Sequence, residues 1–209
     1  MKIAVVCANG KAGQLIAKEA VGRGHDVTAV VRGENRSAAK KVIVKDLFDL
    51  TAEDLSGFDV VVNAFGAWAP ESIPQIGDSE KHLADALEGT GVRFYMVGGA
   101  GSLFTNAEHT QTVDMGPDFP EDWKPLSASH GRALADLRER KQLAWTYVSP
   151  ACDFQAEGER TGKYLLAGEE LTVNERGESV ISYADYAIAM IDLVESGEHV
   201  GERVSVVRA

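Results

Sequence analysis

Lys2-Ile3-Ala4-Val5-Val6-Cys7-Ala8-Asn9-Gly10-Lys11-Ala12-Gly13, continued by a helical stretch to Arg23 and an apolar run from Val27 to Val31, decides the fold of this 209-residue chain. The run up to Cys7 is short, apolar and of strand type, and Ala8–Gly13 is a turn of small residues. Between Gln14 and Arg23 the apolar residues Leu15, Ile16, Ala20 and Val21 fall on one side of a helical period, and Gly24 stops the helix. Val27–Val31 reads as a second buried strand, ended by Arg32. A strand–turn–helix–strand unit of this kind is suited to a dinucleotide. Turn glycines let the backbone approach a pyrophosphate, and the helix N-terminus offers N–H donors to it. The G-x-G-x-x-G spacing occurs as Ala8-x-Gly10-x-x-Gly13, and the offset spacing as Cys7-x-x-Gly10-x-x-Gly13, each with its first glycine replaced. A G-x-x-x-x-G-K-[ST] loop is excluded, because Gln14 follows Gly13. Asn9, Gly10, Lys11, Ala12 and Gly13 are therefore candidate cofactor contacts.

The end of the second strand selects the cofactor. An acidic residue there would accept hydrogen bonds from the ribose 2′-hydroxyl of NAD, whereas a guanidinium holds a 2′-phosphate. Arg32 stands at that position, about twenty residues after the turn, so the expectation is NADP(H) in preference to NAD(H). Glu34, two residues on, leaves room for NADH to compete.

Composition sets the outer bounds. Hydrophobic residues make up 44% and charged residues 25%, ordinary values for a globular chain able to fill one α/β core. The formal net charge of −11 argues against a nucleic-acid or anionic-membrane surface. Cys7 and Cys152 are far apart in sequence, and the five histidines show no metal-ligand spacing, so no metal site is expected. No apolar run is long enough for a transmembrane helix, and the N-terminal apolar stretch is too short for a signal peptide. A cytoplasmic location is the expectation.

Strands and helices go on alternating beyond Arg32. Lys41–Val44, Asp59–Asn63, Val92–Val97, Trp145–Ser149 and Val204–Val207 read as strands. Helices are expected from a cap at Thr51, over Ser79–Leu87 and Leu126–Lys141, and from a cap at Ser182 to about Val194. The expected fold is a Rossmann-type α/β domain: a doubly wound parallel sheet with helices on both faces and a small C-terminal substrate-side lobe. The whole chain, 1–209, reads as one such domain, with 150–176 as a substrate-side insertion. The long segments Gly98–Pro125 and Pro150–Arg176 read as pocket walls.

Ligands of such sheets lie beyond the carboxyl ends of the strands, which directs attention to a short set of residues. Asp46, followed by Leu47, either accepts a hydrogen bond from an adenine amino group or caps the next turn. Asn63, Ala64, Phe65 and Gly66 offer small residues where a cofactor would pass, and Ser149 and Pro150 close the strand that ends beside them. Gly98, Gly99 and Gly101 imply close approach by a cofactor or by a crossing chain. Ser102 is placed to meet a substrate oxygen or to stabilise its own turn. His130 could donate a proton near neutral pH or be a solvated helix residue. Trp68, Phe104, Trp123, Phe154 and Tyr164 could stack on a flat substrate or simply pin loops down.

The segments Cys7–Gly13, Val30–Arg32, Asn63–Gly66, Val97–Leu103, Ser149–Ala151, Glu159–Tyr164 and Ile181–Tyr186 together resemble an atypical short-chain dehydrogenase/reductase. The similarity runs along essentially the whole chain. It is nearest to the NAD(P)H–flavin reductase-like group, related to the NmrA-like proteins and to biliverdin reductase B. That resemblance implies a reductase using NADPH, with FMN, riboflavin or another flat conjugated molecule as the small-molecule acceptor. It also places His130 and Arg132 as a His-x-Arg facing the substrate. The family carries glycine where this chain has Cys7. The Tyr-x-x-x-Lys pair of ordinary members is missing: the residues four after Tyr95, Tyr147, Tyr164, Tyr183 and Tyr186 are Gly99, Ala151, Gly168, Ala187 and Met190. Flavin reduction does not need that pair, because the cofactors carry the reactivity. Two alternatives stand beside it. One is a non-catalytic NADP(H) sensor of NmrA-like type, which would need a protein partner. The other is a sugar-nucleotide epimerase, for which the chain is short.

Overall fold

The computed structural model describes residues Met1–Ala209. The elements run β1 (Lys2–Val6), α1 (Lys11–Gly22), β2 (Asp26–Val31), β3 (Lys41–Val44), α2 (Ala52–Leu55), β4 (Val60–Asn63), α3 (Gln75–Leu87), β5 (Arg93–Val97), α4 (Lys124–Glu139), β6 (Trp145–Pro150), β7 (Asp153–Gln155), β8 (Tyr164–Ala167), β9 (Val180–Ser182), α5 (Tyr183–Ser196) and β10 (Glu202–Arg208). Eight strands form one sheet in the order β3-β2-β1-β4-β5-β6-β10-β8. All its neighbours pair in parallel except β10 and β8, which are antiparallel. This is the expected Rossmann-type sheet, with the strand order reversing at β1, whose partners are β2 and β4.

The period-2 alternation of the buried strands feeds two cores. Ile3 and Val5 of β1 face one side, with Ile16 and Ala20 of α1 and Tyr186 and Met190 of α5. Ala4 and Val6 face the other, with Leu83 of α3 and Leu134 of α4. Both faces are covered, which is why the strands read as unbroken apolar runs.

Helix starts with a side-chain cap were legible in the sequence. Thr51 and Asp54 form a reciprocal capping box, and Ser182 Oγ accepts the Asp185 N–H. Helices α1, α3 and α4 start at Lys11, Gln75 and Lys124, two to four residues before the expected positions, because Gly10, Pro74 and Trp123 supply no side-chain cap. The 150–176 segment divides. Its first residues pair as β7 with β9, and β8 crosses to the far edge of the main sheet beside β10. No helix is long and apolar enough to cross a membrane.

Candidate functional site

The turn after β1 is shaped by Cys7. Its backbone takes a left-handed conformation, φ 60°, and its carbonyl accepts the Gly10 N–H at 2.9 Å. The turn thus keeps a conformation suited to glycine without the glycine, at a cost of about 1–2 kcal/mol. Burial pushes the Cys7 thiol up to about 11, so it stays protonated at neutral pH. Gly13 serves packing: a Cβ there would lie 2.5 Å from the Cys7 carbonyl oxygen. Gly10 caps α1 through an extended backbone, with no side chain bonded to the first turn and no acidic residue in it. The first N–H groups of α1 are therefore left for a ligand.

Two cavities meet at this turn. One, of about 590 Å³, lies over the ends of β1 and β2. It is lined by Asn9, Gly10, Arg32, Arg36, Lys45, Asp46, Leu47 and Phe48 among others. The second, of about 570 Å³, lies over β5 and β6 and is mostly apolar. Gly10, Ala64, Phe65 and Gly66 line both, so the cavities form one trough past the N-terminus of α1.

In the first cavity Asn9 holds the loop after β2. Its Nδ2 donates to the Glu34 carbonyl at 2.8 Å, and its Oδ1 accepts the Arg36 N–H at 2.7 Å. Arg32 is 84% exposed, its Nη1 4.0 Å from Asp46 Oδ2. Arg36, unnoticed in the sequence, lines the cavity with it, whereas Glu34 does not. Asp46 caps its own turn by accepting the Phe48 N–H at 3.0 Å. Lys45 is held by Asp54 at 2.7 Å.

In the second cavity the wall comprises Lys11, Ala12, Trp68, Gly98, Gly99, His130, Pro150, Cys152, Phe154 and Tyr183, with Pro117–Pro120 and Trp123 from the long loop. Phe154 packs on Tyr183 at 3.9 Å between ring centres. Phe119, Cys152 and Tyr183 carry no motif that marked them in the sequence. The close approach implied by the glycines after β5 is made by this chain's own side chains. A Cβ at Gly98 would strike the Tyr147 ring at 2.3 Å, one at Gly99 the His130 ring at 2.9 Å, and one at Gly101 Ser127 Oγ at 2.0 Å. Gly99 N–H donates to the Tyr147 hydroxyl at 3.0 Å, which lies 3.3 Å from His130 Nδ1. Burial lowers His130 to about 4, so it is a neutral imidazole at pH 7 and no proton reservoir there.

Seven of the expected contacts lie outside both cavities. Ser102 Oγ accepts from buried Arg203 at 2.9 Å, which makes it a turn anchor. Arg132 is exposed, about 200° round α4 from His130 at the helical 3.6-residue period. Phe104 stacks on His109 at 4.3 Å. Ser149 is buried and donates to the Gly99 carbonyl, and Asn63 is buried and accepts the Phe65 N–H. The sixth is Gly13, in the packing described above. The seventh, Tyr164, turns away, donating to Asp192.

A trough past an uncapped helix N-terminus, at the sheet's switch point and with paired cations at one end, fits a dinucleotide. The chain belongs to the NAD(P)H-binding family, whose model matches residues 7–196. It is 51% identical to a Streptococcus pneumoniae protein described as a putative NADH-flavin reductase, with a TM-score of 0.98 and all of both chains covered. It is 42% identical to the uncharacterized protein YwnB of Bacillus subtilis, over 99% of this chain and 98% of that one. A Bacteroides thetaiotaomicron protein described as a putative epimerase is 34% identical, with a TM-score of 0.86 over 99% of this chain and 96% of that one.

Proposed function

We propose that this protein is an NADPH-dependent reductase that passes a hydride to a free flavin or a similar flat conjugated acceptor. The observation that carries the reading is the trough itself: a cation-lined nucleotide end continuous with a large apolar end walled by Phe65, Trp68, Phe119, Trp123, Phe154 and Tyr183. In this reading Arg32 and Arg36 hold the 2′-phosphate, the first turn of α1 holds the pyrophosphate, and Leu47 and Phe48 flank the adenine. The bound nicotinamide supplies the hydride. The chain's own part would be to hold donor and acceptor rings together against its aromatic wall. Neutral His130 forms part of that wall without supplying a proton. The flavin reductase description of the Streptococcus pneumoniae relative supports the acceptor, though its name specifies NADH.

The test follows oxidation of NADPH and of NADH by absorbance, with and without riboflavin or FMN, for the wild type and Arg32→Ala. Acceptor-dependent oxidation of NADPH is expected, with kcat/KM for NADPH reduced about tenfold in the variant and that for NADH little changed. Equal use of both nucleotides by the wild type would overturn the cofactor preference. Tight NADPH binding with no oxidation by any acceptor would favour a sensor instead.

A further inference from the structure

The two ends of the trough differ in charge. The nucleotide end presents Arg32 and Arg36, neither held in a close ion pair. In the apolar end the charged lining residues are Lys11 and Asp118, and Lys11 is paired with Glu157 at 3.4 Å. The segments that supply its walls carry acidic residues. The loop carrying Trp68, itself 69% exposed, continues into exposed Glu71. The long loop carries exposed Asp118, which lines the cavity, and exposed Glu121 and Asp122, which precede cavity-lining Trp123 in sequence. The cation in that stretch, Lys124, is taken by Glu121. Lys11 is the one cation lining the acceptor end, and the carboxylates on the segments around it outnumber it. The formal net charge of −11 adds a field of the same sign.

We propose that the acceptor site selects an uncharged, unphosphorylated acceptor, riboflavin or a neutral quinone, over FMN, FAD or any anionic ring compound. The inference rests on the reductase reading and adds a substrate class to it. A flat neutral ring system loses little on leaving water for this aromatic wall. A phosphate at the mouth meets Asp118, with Glu71 and Asp122 on the adjoining segments, and the one lining ammonium, Lys11, is shared with Glu157. Selectivity of this origin is screened by salt, since the Debye length falls from about 30 Å at 0.01 M to about 3 Å at 1 M ionic strength. A steric origin would be insensitive to salt.

The experiment compares riboflavin with FMN, and 1,4-naphthoquinone with its 2-sulfonate, as acceptors of NADPH electrons at low and high salt. The wild type is compared with the triple variant Glu71→Gln/Asp118→Asn/Asp122→Asn. Binding of both flavins to the NADP⁺-loaded protein is followed in parallel by quenching of flavin fluorescence. At low salt the neutral member of each pair is expected to be preferred roughly tenfold. The gap should close on adding salt and in the triple variant. FMN used as well as riboflavin at low salt, or a gap that neither salt nor the variant narrows, would overturn the inference. If no acceptor is reduced but riboflavin still binds more tightly than FMN, the reductase reading falls while the charge filter stands. Equal binding overturns the filter, and no binding of either flavin overturns both.

Discussion

Glu80 of α3 is fully buried, and neither carboxylate oxygen has a hydrogen-bond partner. Burial, reinforced by the nearby charges of Asp136 and Asp85 and opposed by Arg140, raises it to about 9. The folded protein therefore keeps a proton on Glu80 up to about pH 9, while the unfolded chain releases it near 4.5. Between those values unfolding releases a proton, so stability falls as pH rises, by at most about 1.4 kcal/mol per pH unit. Glu80→Gln carries no such proton, and denaturant melts from pH 6 to 9 should show a flatter decline than in the wild type. Parallel declines would mean that Glu80 is ionised in the fold. His130 gives the opposite expectation for kinetics. With the imidazole already neutral above about pH 4, kcat/KM should be flat from pH 5.5 to 8, and a limb near 6.5 would make His130 a proton donor after all. Spacing alone puts Asn9, Gly10, Lys11, Ala12 and Arg32 where the structure has them lining the trough. Ser102, Arg132 and Phe104 were not legible in this way, since sequence puts a residue at a strand end or helix turn without saying which way its side chain points.

At the scale of elements, the contact between α1 and the turn it springs from is a close joint made by backbone alone. Gly13 lies inside α1, where alanine would ordinarily be favoured by about 1 kcal/mol. Its Cβ would sit 2.5 Å from the Cys7 carbonyl oxygen, a backbone atom that cannot swing aside. Gly13→Ala should thus destabilise by about 1–3 kcal/mol and weaken nucleotide binding, because α1 must shift away from the trough. Gly22, at the other end of α1, has open space around it, and Gly22→Ala should be neutral or stabilising by up to about 1 kcal/mol. Urea melts of the two variants test this as a pair, and equal effects would show that the close approach of Gly13 is not limiting. The central strands were readable because they are mostly apolar runs buried on both faces. β7, β8 and β9 were not. They have three or four residues each, and β7 and β8 are partly exposed, so neither length nor periodicity separated them from loop.

For the whole molecule, the trough crosses the sheet where the strand order turns, so a dinucleotide would touch the ends of β1, β2, β4, β5 and β6 together. A ligand that binds only the folded state stabilises it by about 2.7 kcal/mol at a hundred times its Kd. For a chain of this size that corresponds to a rise in Tm of roughly 5–11 °C. On the proposal that Arg32 and Arg36, which line the same cavity, hold the 2′-phosphate, NADPH should produce this shift at lower concentration than NADH. Arg32 is 84% exposed, so Arg32→Ala should leave the Tm of the free protein nearly unchanged while moving the NADPH curve toward the NADH curve. A thermal titration of both nucleotides against both proteins therefore separates recognition from folding. Coincident NADPH and NADH curves in the wild type would remove the 2′-phosphate from the argument. A variant that melted early without ligand would instead make Arg32 part of the fold.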